Sequence, residues 1–112
     1  MDKGKLEPDY KNMKTPLPTP GEMLVEGFLG PMGITQSAFA RHIGVDPCVI
    51  STLVVGRRAL TMNMAFKWAA ALNTTPQMWM NAQMLHDLTK AYIEKRDKKI
   101  AGKIKPMGPV KA

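Results

Sequence analysis

Within residues 19–95, three pairs of residues place an oxygen-bearing side chain directly before a proline: Thr19-Pro20, Asp46-Pro47 and Thr75-Pro76. Such a pair is typical of a helix start, because the first side chain can accept a free backbone N–H and proline fits the first helical position. Glu22 follows Thr19 by three residues and completes a capping box. The chain is therefore expected to fold as a series of short helices.

The stop signals between these starts divide the chain into five helices. Glycine ends a helix at low cost because it adopts the left-handed conformation without a steric penalty. Gly44 and Gly56 fit that role, and we expect Gly30, Pro31 and Gly33 to stop the first helix. No strand pattern of alternating polarity is present. The predicted helices are residues 20–29, 36–43, 47–54, 62–73 and 76–95, with Thr35 and Thr61 as further N-caps.

Length and composition indicate one small domain. At 112 residues the chain can build one modest core. Prolines and charges without apolar periodicity predict a flexible arm at residues 1–18, and a mixture of Lys, Gly and Pro predicts a flexible basic tail at residues 96–112. The folded domain is expected to span residues 19–95. A single cysteine, Cys48, excludes an internal disulfide and a cysteine-rich metal site, so we expect no metal and no other cofactor.

The net charge of +7 is concentrated at one end of the chain. Residues 90–112 hold eight Lys or Arg against two acidic residues, whereas the charges balance over residues 20–89. The tail is expected either to follow DNA phosphates or to act only as a solubilising segment. No apolar run approaches the length of a membrane-spanning helix, and the first ten residues lack the apolar stretch of a secretory signal. We expect a cytoplasmic protein with no membrane partner.

Residues 36–56 have the spacing of a helix-turn-helix. Ala40 stands where two helices would cross steeply, and its small side chain lets their backbones approach. Gly44 supplies the turn between them. An apolar wedge is expected to fix the second helix of the unit against the first, and it consists of Phe39, Ile43, Val45, Ile50, Leu53 and Val54.

The outer side of that second helix is a candidate surface for reading bases in a major groove. Gln36, at the start of the first helix of the unit, would lie beside a phosphate, where its amide and the helix N-terminus both donate. Two arginines that follow the second helix of the unit are placed to contact the DNA backbone. A purely structural αα-hairpin is the alternative. The candidate DNA-binding residues are Gln36, Pro47, Cys48, Val49, Ser51, Thr52, Arg57 and Arg58.

The fifth predicted helix carries more apolar surface than an edge helix of a small core can bury. Part of it is expected to pack on the fourth helix through Phe66, Trp68 and Leu72. Since the second helix of the unit offers no Arg, Asn or Gln for bidentate base contacts, we expect a homodimer on a two-fold operator to supply the missing contacts. Core packing is the alternative for any single residue. The candidate dimer-interface residues are Met78, Trp79, Met80, Met84, Leu85 and Leu88.

Four further motifs accompany the helix-turn-helix: PGEML, FLGPMGIT, GRRALT and TTPQMWMNAQ. With them, residues 19–88 closely resemble the HigA-type antitoxins, also known as virulence-associated protein I, a branch of the phage-repressor-like helix-turn-helix proteins. The resemblance implies a five-helix, lambda-repressor-like DNA-binding domain that dimerises and represses its own operon from a palindromic operator in double-stranded DNA. It also implies neutralisation of a small RelE-like toxin, a ribonuclease that cleaves mRNA.

The family pattern assigns roles to residues of this chain. DNA-facing positions fall on Gln36, Pro47, Cys48, Ser51 and Thr52, and the basic residues after the glycine are Arg57 and Arg58. The chain departs from the pattern at Val55, where Asn is frequent, and at Gln77, where Glu is usual.

Three other functions are alternatives for this chain: an enzyme, a solitary regulator and an interaction module. Cys48 beside His42 would need an orienting third group to act as a thiol nucleophile, and none is evident, so we expect no catalytic residue and no enzyme. His86-Asp87 is expected to be an exposed pair. A solitary regulator without a toxin, and an interaction module that never touches DNA, are the rival functions. The N-terminal arm, with Leu6, Tyr10 and Met13, is either a plain leader or a segment that folds onto a toxin.

Overall fold

The computed structural model describes residues 9–108, and these contain helices and no strand. Helix α1 begins as Pro20–Leu24, continues as a π-helical stretch, Val25–Leu29, and ends in a short α-turn, Gly30–Met32. The predicted all-α class is confirmed. None of the helices in this range is both long and apolar enough to cross a membrane. The remaining helices are α2 (Gln36–Ile43), α3 (Pro47–Val54), α4 (Met62–Leu72), α5 (Pro76–Ile93) and α6 (Arg96–Ala101), and a 3-10 turn precedes α1 at Tyr10–Asn12.

Each of the helices α1 to α5 begins at a capping side chain. The Thr19 hydroxyl accepts from the Glu22 N–H at 3.1 Å, and the Glu22 carboxylate accepts from the Thr19 N–H at 3.4 Å, which forms the predicted capping box. These caps satisfy backbone donors that have no partner inside the helix. The other four caps are Thr35, Asp46, Thr61 and Thr75, all at the predicted positions.

Helix α1 extends past its predicted end at Leu29. Gly30 and Pro31 do not stop it, because the N–H of Gly30 bonds to the Val25 carbonyl five residues back and the register changes there from π to α. Because the register changes there, the absence of an N–H on Pro31 does not interrupt the helix. The helix ends instead at Gly33, which has a left-handed φ of 68°.

Two segments predicted to be flexible contain ordered contacts. The 3-10 turn at Tyr10–Asn12 packs against α5, and Arg96–Ala101 forms α6 within the predicted tail. The Leu17 N–H donates to the Thr89 hydroxyl at 2.9 Å, and the Leu17 carbonyl lies 2.6 Å from Nδ1 of His86. His86 is consequently half-buried, contrary to the predicted exposed pair. The parts of the predicted arm and tail at residues 1–8, which include Leu6, and at 109–112 lie outside the described residues.

An aromatic cluster joins four helices at the centre of the core. Trp68 of α4 and Trp79 of α5 are fully buried, and their ring centroids lie 5.1 Å apart in an edge-to-face arrangement. Phe28 of α1 contacts Trp79 at 5.3 Å, and Phe39 of α2 contacts Trp68 at 6.1 Å. Such aromatic pairs contribute beyond the area that they bury. Leu24, Leu29, Ala40, Ile50, Leu53, Leu60, Ala65 and Ala69 complete the buried core.

The backbones of α1 and α3 approach closely at Gly21. A Cβ atom on Gly21 would overlap the carbonyl oxygen of Leu53 and would lie 2.5 Å from Cα of Val54. Both neighbours are backbone atoms, so they cannot move away without displacing α3 itself. Only glycine permits this approach, and α1 therefore sets the position of α3.

We expect Gly21→Ala to reduce the free energy of unfolding by roughly 1–3 kcal/mol, because the added methyl group overpacks a backbone contact. Chemical denaturation measures this change. Gly27→Ala is the matched control in the same helix, since nothing lies within 4 Å of the added atom. The control is expected to be neutral or to stabilise by about 0.5–1 kcal/mol. Equal effects at the two positions would show that the close approach of α1 and α3 does not determine the loss of stability.

Candidate nucleic-acid interface

The helix-turn-helix unit consists of α2, the turn at residues 44–46 and α3. Gly44 adopts a left-handed φ of 74°, and its N–H donates to the Arg41 carbonyl at 3.2 Å. The N–H of Val45 then donates to the Ala40 carbonyl at 2.9 Å, which closes the end of α2. The carboxylate of Asp46 accepts from the Cys48 N–H at 2.8 Å and begins α3. Gly44 therefore supplies the turn as the sequence predicts.

The inner side of α3 is fixed in the core. Ala40 and Ile50 are fully buried, which agrees with a close crossing of α2 and α3. The other members of the predicted wedge, Phe39, Ile43, Val45, Leu53 and Val54, belong to the core or pack directly against it. With one side held in this way, the opposite side of α3 faces outward.

The outward side of α3 carries small side chains and hydroxyl groups. Pro47, Cys48 and Ser51 are exposed, and Thr52 is half-buried. The Ser51 hydroxyl donates to the Cys48 carbonyl at 3.1 Å, and the Thr52 hydroxyl donates to the Val49 carbonyl at 2.9 Å. Because each hydroxyl proton is engaged inside the helix, each oxygen presents lone pairs that can accept a hydrogen bond. The surface can therefore receive donors from a partner.

Two predicted contact residues are only partly accessible. Val49 is half-buried and packs against the core, so a limited part of its side chain reaches the surface. Gln36 is half-buried at the first position of α2, next to the capping Thr35. The free N–H groups of that first turn point out of the helix end, as in any helix. This end of α2 can donate hydrogen bonds to an anionic group.

Arg57 and Arg58 lie in the exposed loop that follows α3, residues 55–61. Gly56 has a φ of 79°, and the N–H of Arg57 donates to the Thr52 carbonyl at 3.0 Å. Within the part of the chain that the structure describes, the only ion pair is Arg96–Glu94 at 2.9 Å. Neither loop arginine is therefore neutralised by a carboxylate of the described residues.

The predicted dimer interface is wrong at Trp79. Its side chain is fully buried within the protomer and contacts Trp68 and Phe28, so it is a core residue. The prediction failed because a helical apolar run does not reveal which of its members face the core. Phe66 departs from expectation in the opposite direction: it is 55% exposed and does not bury its ring against α5.

The other five predicted interface residues divide between two sides of α5. Met80, Met84 and Leu88 are spaced four residues apart and share one side, which we term the α5 stripe. Met84 is 55% exposed, and the stripe borders a shallow hollow of about 820 Å³ that also contains Gln83 and Arg96. Met78 and Leu85 are half-buried and lie on another side of the helix.

Cys48 and His42 do not form a catalytic pair. Both are exposed, they lie on different helices, and no hydrogen bond joins them in the described range. Residues 9–108 also contain no cluster of His, Cys, Asp and Glu that could hold a metal ion.

Sequence reasoning missed a row of polar residues on the inner side of α5. The amide oxygen of Gln83 accepts from the Leu60 N–H at 2.8 Å, and its amide nitrogen donates to the Asp87 carboxylate at 3.0 Å. His86 and Thr89 hold Leu17 as described above, and Thr89 is fully buried. The available signal was the spacing of three residues from Gln83 through His86 to Thr89, which places these polar groups on one side of the helix.

Comparisons with known proteins agree with this architecture. A family model described as helix-turn-helix matches residues 29–79. The chain is 48% identical over 68 residues to Antitoxin HigA-1 of Vibrio cholerae serotype O1 (strain ATCC 39315 / El Tor Inaba N16961), a match that covers 61% of this chain and 64% of that antitoxin. It is 34% identical over 77 residues to Virulence-associated protein I of Dichelobacter nodosus, covering 69% and 71% of the two chains. The match thus spans slightly less than two thirds of the length of HigA-1.

A solved structure gives the same result. Pseudomonas aeruginosa antitoxin HigA, determined with the higBA promoter, aligns with a TM-score of 0.75 and 30% identity over 82% of this chain and 99% of that one. The two HigA proteins are antitoxins, and the matching helix-turn-helix family consists of DNA-binding proteins and not enzymes, which confirms the prediction that the chain is not an enzyme. From its sequence, its fold and these relatives, the chain belongs to the HigA-type antitoxins of the helix-turn-helix family.

Proposed function

We propose that this protein binds operator DNA through its helix-turn-helix and represses its own operon. The observation that carries the proposal is the asymmetry of α3. Ile50 and Leu53 fix one side in the core, while Pro47, Cys48 and Ser51 leave the opposite side exposed. A helix held in this way fits the major groove, and a relative of the same fold was solved with its promoter.

Bases are read by the short side chains of α3. The hydroxyl oxygens of Ser51 and Thr52 accept hydrogen bonds from the exocyclic amino groups of adenine or cytosine, because their own protons are engaged inside the helix. Pro47, Cys48 and the accessible part of Val49 contact thymine methyl groups. These contacts are few, so sequence-dependent DNA shape supplies part of the selectivity.

The DNA backbone is held from both ends of the unit. Gln36 and the free N–H groups at the start of α2 donate to one phosphate. Arg57 and Arg58 contact phosphates beyond the C-terminal end of α3, and as unpaired cations they release counterions on binding. These contacts set the register of α3 in the groove without reading sequence.

A second copy of the chain covers the α5 stripe. Met84 is 55% exposed. Leu88 and Met80 are half-buried, and Met80 also packs against the core, but both extend the same apolar row, a composition that suits a subunit interface. A two-fold dimer doubles the few base contacts of each protomer. Its half-sites lie about 34 Å apart on a palindromic operator.

The proposed biological role is neutralisation of a small RelE-like toxin that cleaves mRNA. Membership in an antitoxin family supports this role. The rival is a solitary regulator of the same fold without a toxin.

Two substitutions separate phosphate contacts from base contacts. Arg57→Ala is expected to weaken binding to the operator and to unrelated DNA alike. It should also reduce the magnitude of the slope of log affinity against log salt concentration, the salt slope, by about one. Thr52→Ala is expected to change the preference among operator variants. Titration of DNA from upstream of the gene, by gel shift at several salt concentrations, measures both effects.

The control for the arginine is Lys67→Ala, which removes an exposed charge beside His42, near the far end of α2. It is expected to leave the salt slope close to its original value. Uniform losses from both Arg57→Ala and Thr52→Ala would show that α3 does not read bases. Binding without salt dependence or sequence preference would exclude the repressor.

The dimer is tested by a charge in the α5 stripe. Met84→Glu is expected to convert the dimer to a monomer in analytical ultracentrifugation, because two carboxylates would be buried at the two-fold contact. Operator affinity should fall with it. Ala70→Glu adds the same charge at an exposed position of α4 and is expected to preserve the dimer. A Met84→Glu protein that stays dimeric would exclude the stripe as the interface.

The toxin is tested by co-expression with any toxin-sized protein encoded directly beside this gene. We expect the two chains to co-purify and the mRNA cleavage caused by the neighbour alone to disappear. Unchanged cleavage in the presence of this chain would favour the solitary regulator. The readout is independent of DNA binding, so the two parts of the proposal are separable.

A further inference from the structure

We infer that Gln83 of α5 is a positioning residue for the loop that carries Arg57 and Arg58. The contact between this loop and DNA is part of the proposed function, whereas the positioning of the loop by Gln83 rests on the geometry of the structure. Leu60, at the end of the loop, is buried, and its backbone N–H donates to the amide oxygen of Gln83 at 2.8 Å. A side chain 23 residues away in sequence thus supplies the partner of a loop N–H.

The loop is held at both ends. At its start, the N–H of Gly56 donates to the Leu53 carbonyl at 3.2 Å, and the N–H of Arg57 donates to the Thr52 carbonyl at 3.0 Å. At its end, Leu60 is fixed by its buried side chain and by Gln83. Arg58 is therefore confined to the short exposed stretch between these two ends. Arginines on a loop ordered in advance lose less conformational entropy when they contact phosphate.

The orientation of the Gln83 amide is fixed by Asp87. The amide nitrogen donates to the Asp87 carboxylate at 3.0 Å. An ionised carboxylate can only accept, so the nitrogen faces Asp87 and the oxygen must face Leu60. Asp87 lies one helical turn further along α5, so the two side chains pair within the same helix.

A neutral acceptor suits this position because of what surrounds it. Gln83, Asp87, Arg58 and Lys90 all line one small polar hollow of about 100 Å³. The Asp87 carboxylate already accepts from the Gln83 amide nitrogen at 3.0 Å. A second carboxylate, at position 83, would add negative charge beside Arg58 and draw its guanidinium inward, in competition with a phosphate. The glutamine amide accepts the loop N–H without adding that charge.

The direct test is Gln83→Met, which removes the acceptor at nearly constant side-chain length. We expect amide hydrogen exchange at Leu60 to become about three- to tenfold faster and residues 57–59 to lose order in NMR relaxation. Operator and unrelated DNA should lose a similar factor in affinity, because phosphate contacts are the ones affected. Gln77→Met makes the same change at an exposed glutamine of α5 and is expected to alter neither readout.

A double-mutant cycle shows whether Gln83 acts through the arginines. In a background of Arg57→Ala and Arg58→Ala, Gln83→Met is expected to cause no further loss of DNA affinity. A full additional loss there would overturn the inference, since Gln83 would then act by another route. Unchanged Leu60 exchange in a folded Gln83→Met protein would overturn it regardless of DNA binding.

The two proposals fail in distinguishable ways. If the unaltered protein does not bind DNA but Leu60 exchange still responds to Gln83→Met, the loop positioning holds and the DNA contact is excluded. Gln83→Glu combined with Asp87→Asn serves as a second variant if the methionine variant does not fold. It retains an oxygen acceptor at position 83 and keeps a single carboxylate in the pair, so slow Leu60 exchange is expected to persist. Fast exchange in this variant would contradict the assigned hydrogen bond.

Discussion

The backbone contact between Gly21 and the end of α3 determines where the outward face of the helix-turn-helix stands. A helix held only by side chains can shift as those side chains change rotamer, but a backbone-to-backbone approach leaves no such freedom. The aromatic cluster around Trp68 and Trp79 fixes α4 and α5 behind this contact. As a result, the orientation of α3 follows from the packing of the whole domain and not from the turn at Gly44 alone.

Helix α5 connects the parts of the domain that the sequence presents as separate. Trp79 enters the aromatic core, Gln83 holds the loop after α3, and Thr89 holds the backbone of Leu17. The α5 stripe lies on an adjacent side of the same helix, with Gln83 at its border. A helix engaged on two sides cannot tilt toward a partner without disturbing the loop. The proposed dimer contact and the proposed phosphate contact are thus mechanically linked through one rigid element.

The sequence predicts the features that depend on local chemistry. The caps at Thr19 and Asp46 and the left-handed turn at Gly44 involve atoms a few residues apart, so residue type alone is informative. The π-helical passage through Gly30, the inward direction of Trp79 and the role of Gln83 depend on residues distant in sequence. Gln83 bonds to a backbone N–H 23 residues away, and no local pattern specifies that partner. Tertiary packing decides such contacts, and a single sequence does not reveal it.

The short side chains of α3 give the rigid packing a particular significance. A long arginine can adjust its reach when a helix moves, whereas the hydroxyls of Ser51 and Thr52 extend only one bond beyond Cβ. In the proposed complex with DNA, a displacement of about 1 Å would separate such groups from a base edge, because hydrogen bonds of this kind span only about 2.7–3.2 Å. Sequence preference in this protein would therefore depend on how firmly Gly21, Ile50 and Leu53 hold the helix. A core substitution that loosens α3 would relax specificity before it abolished folding.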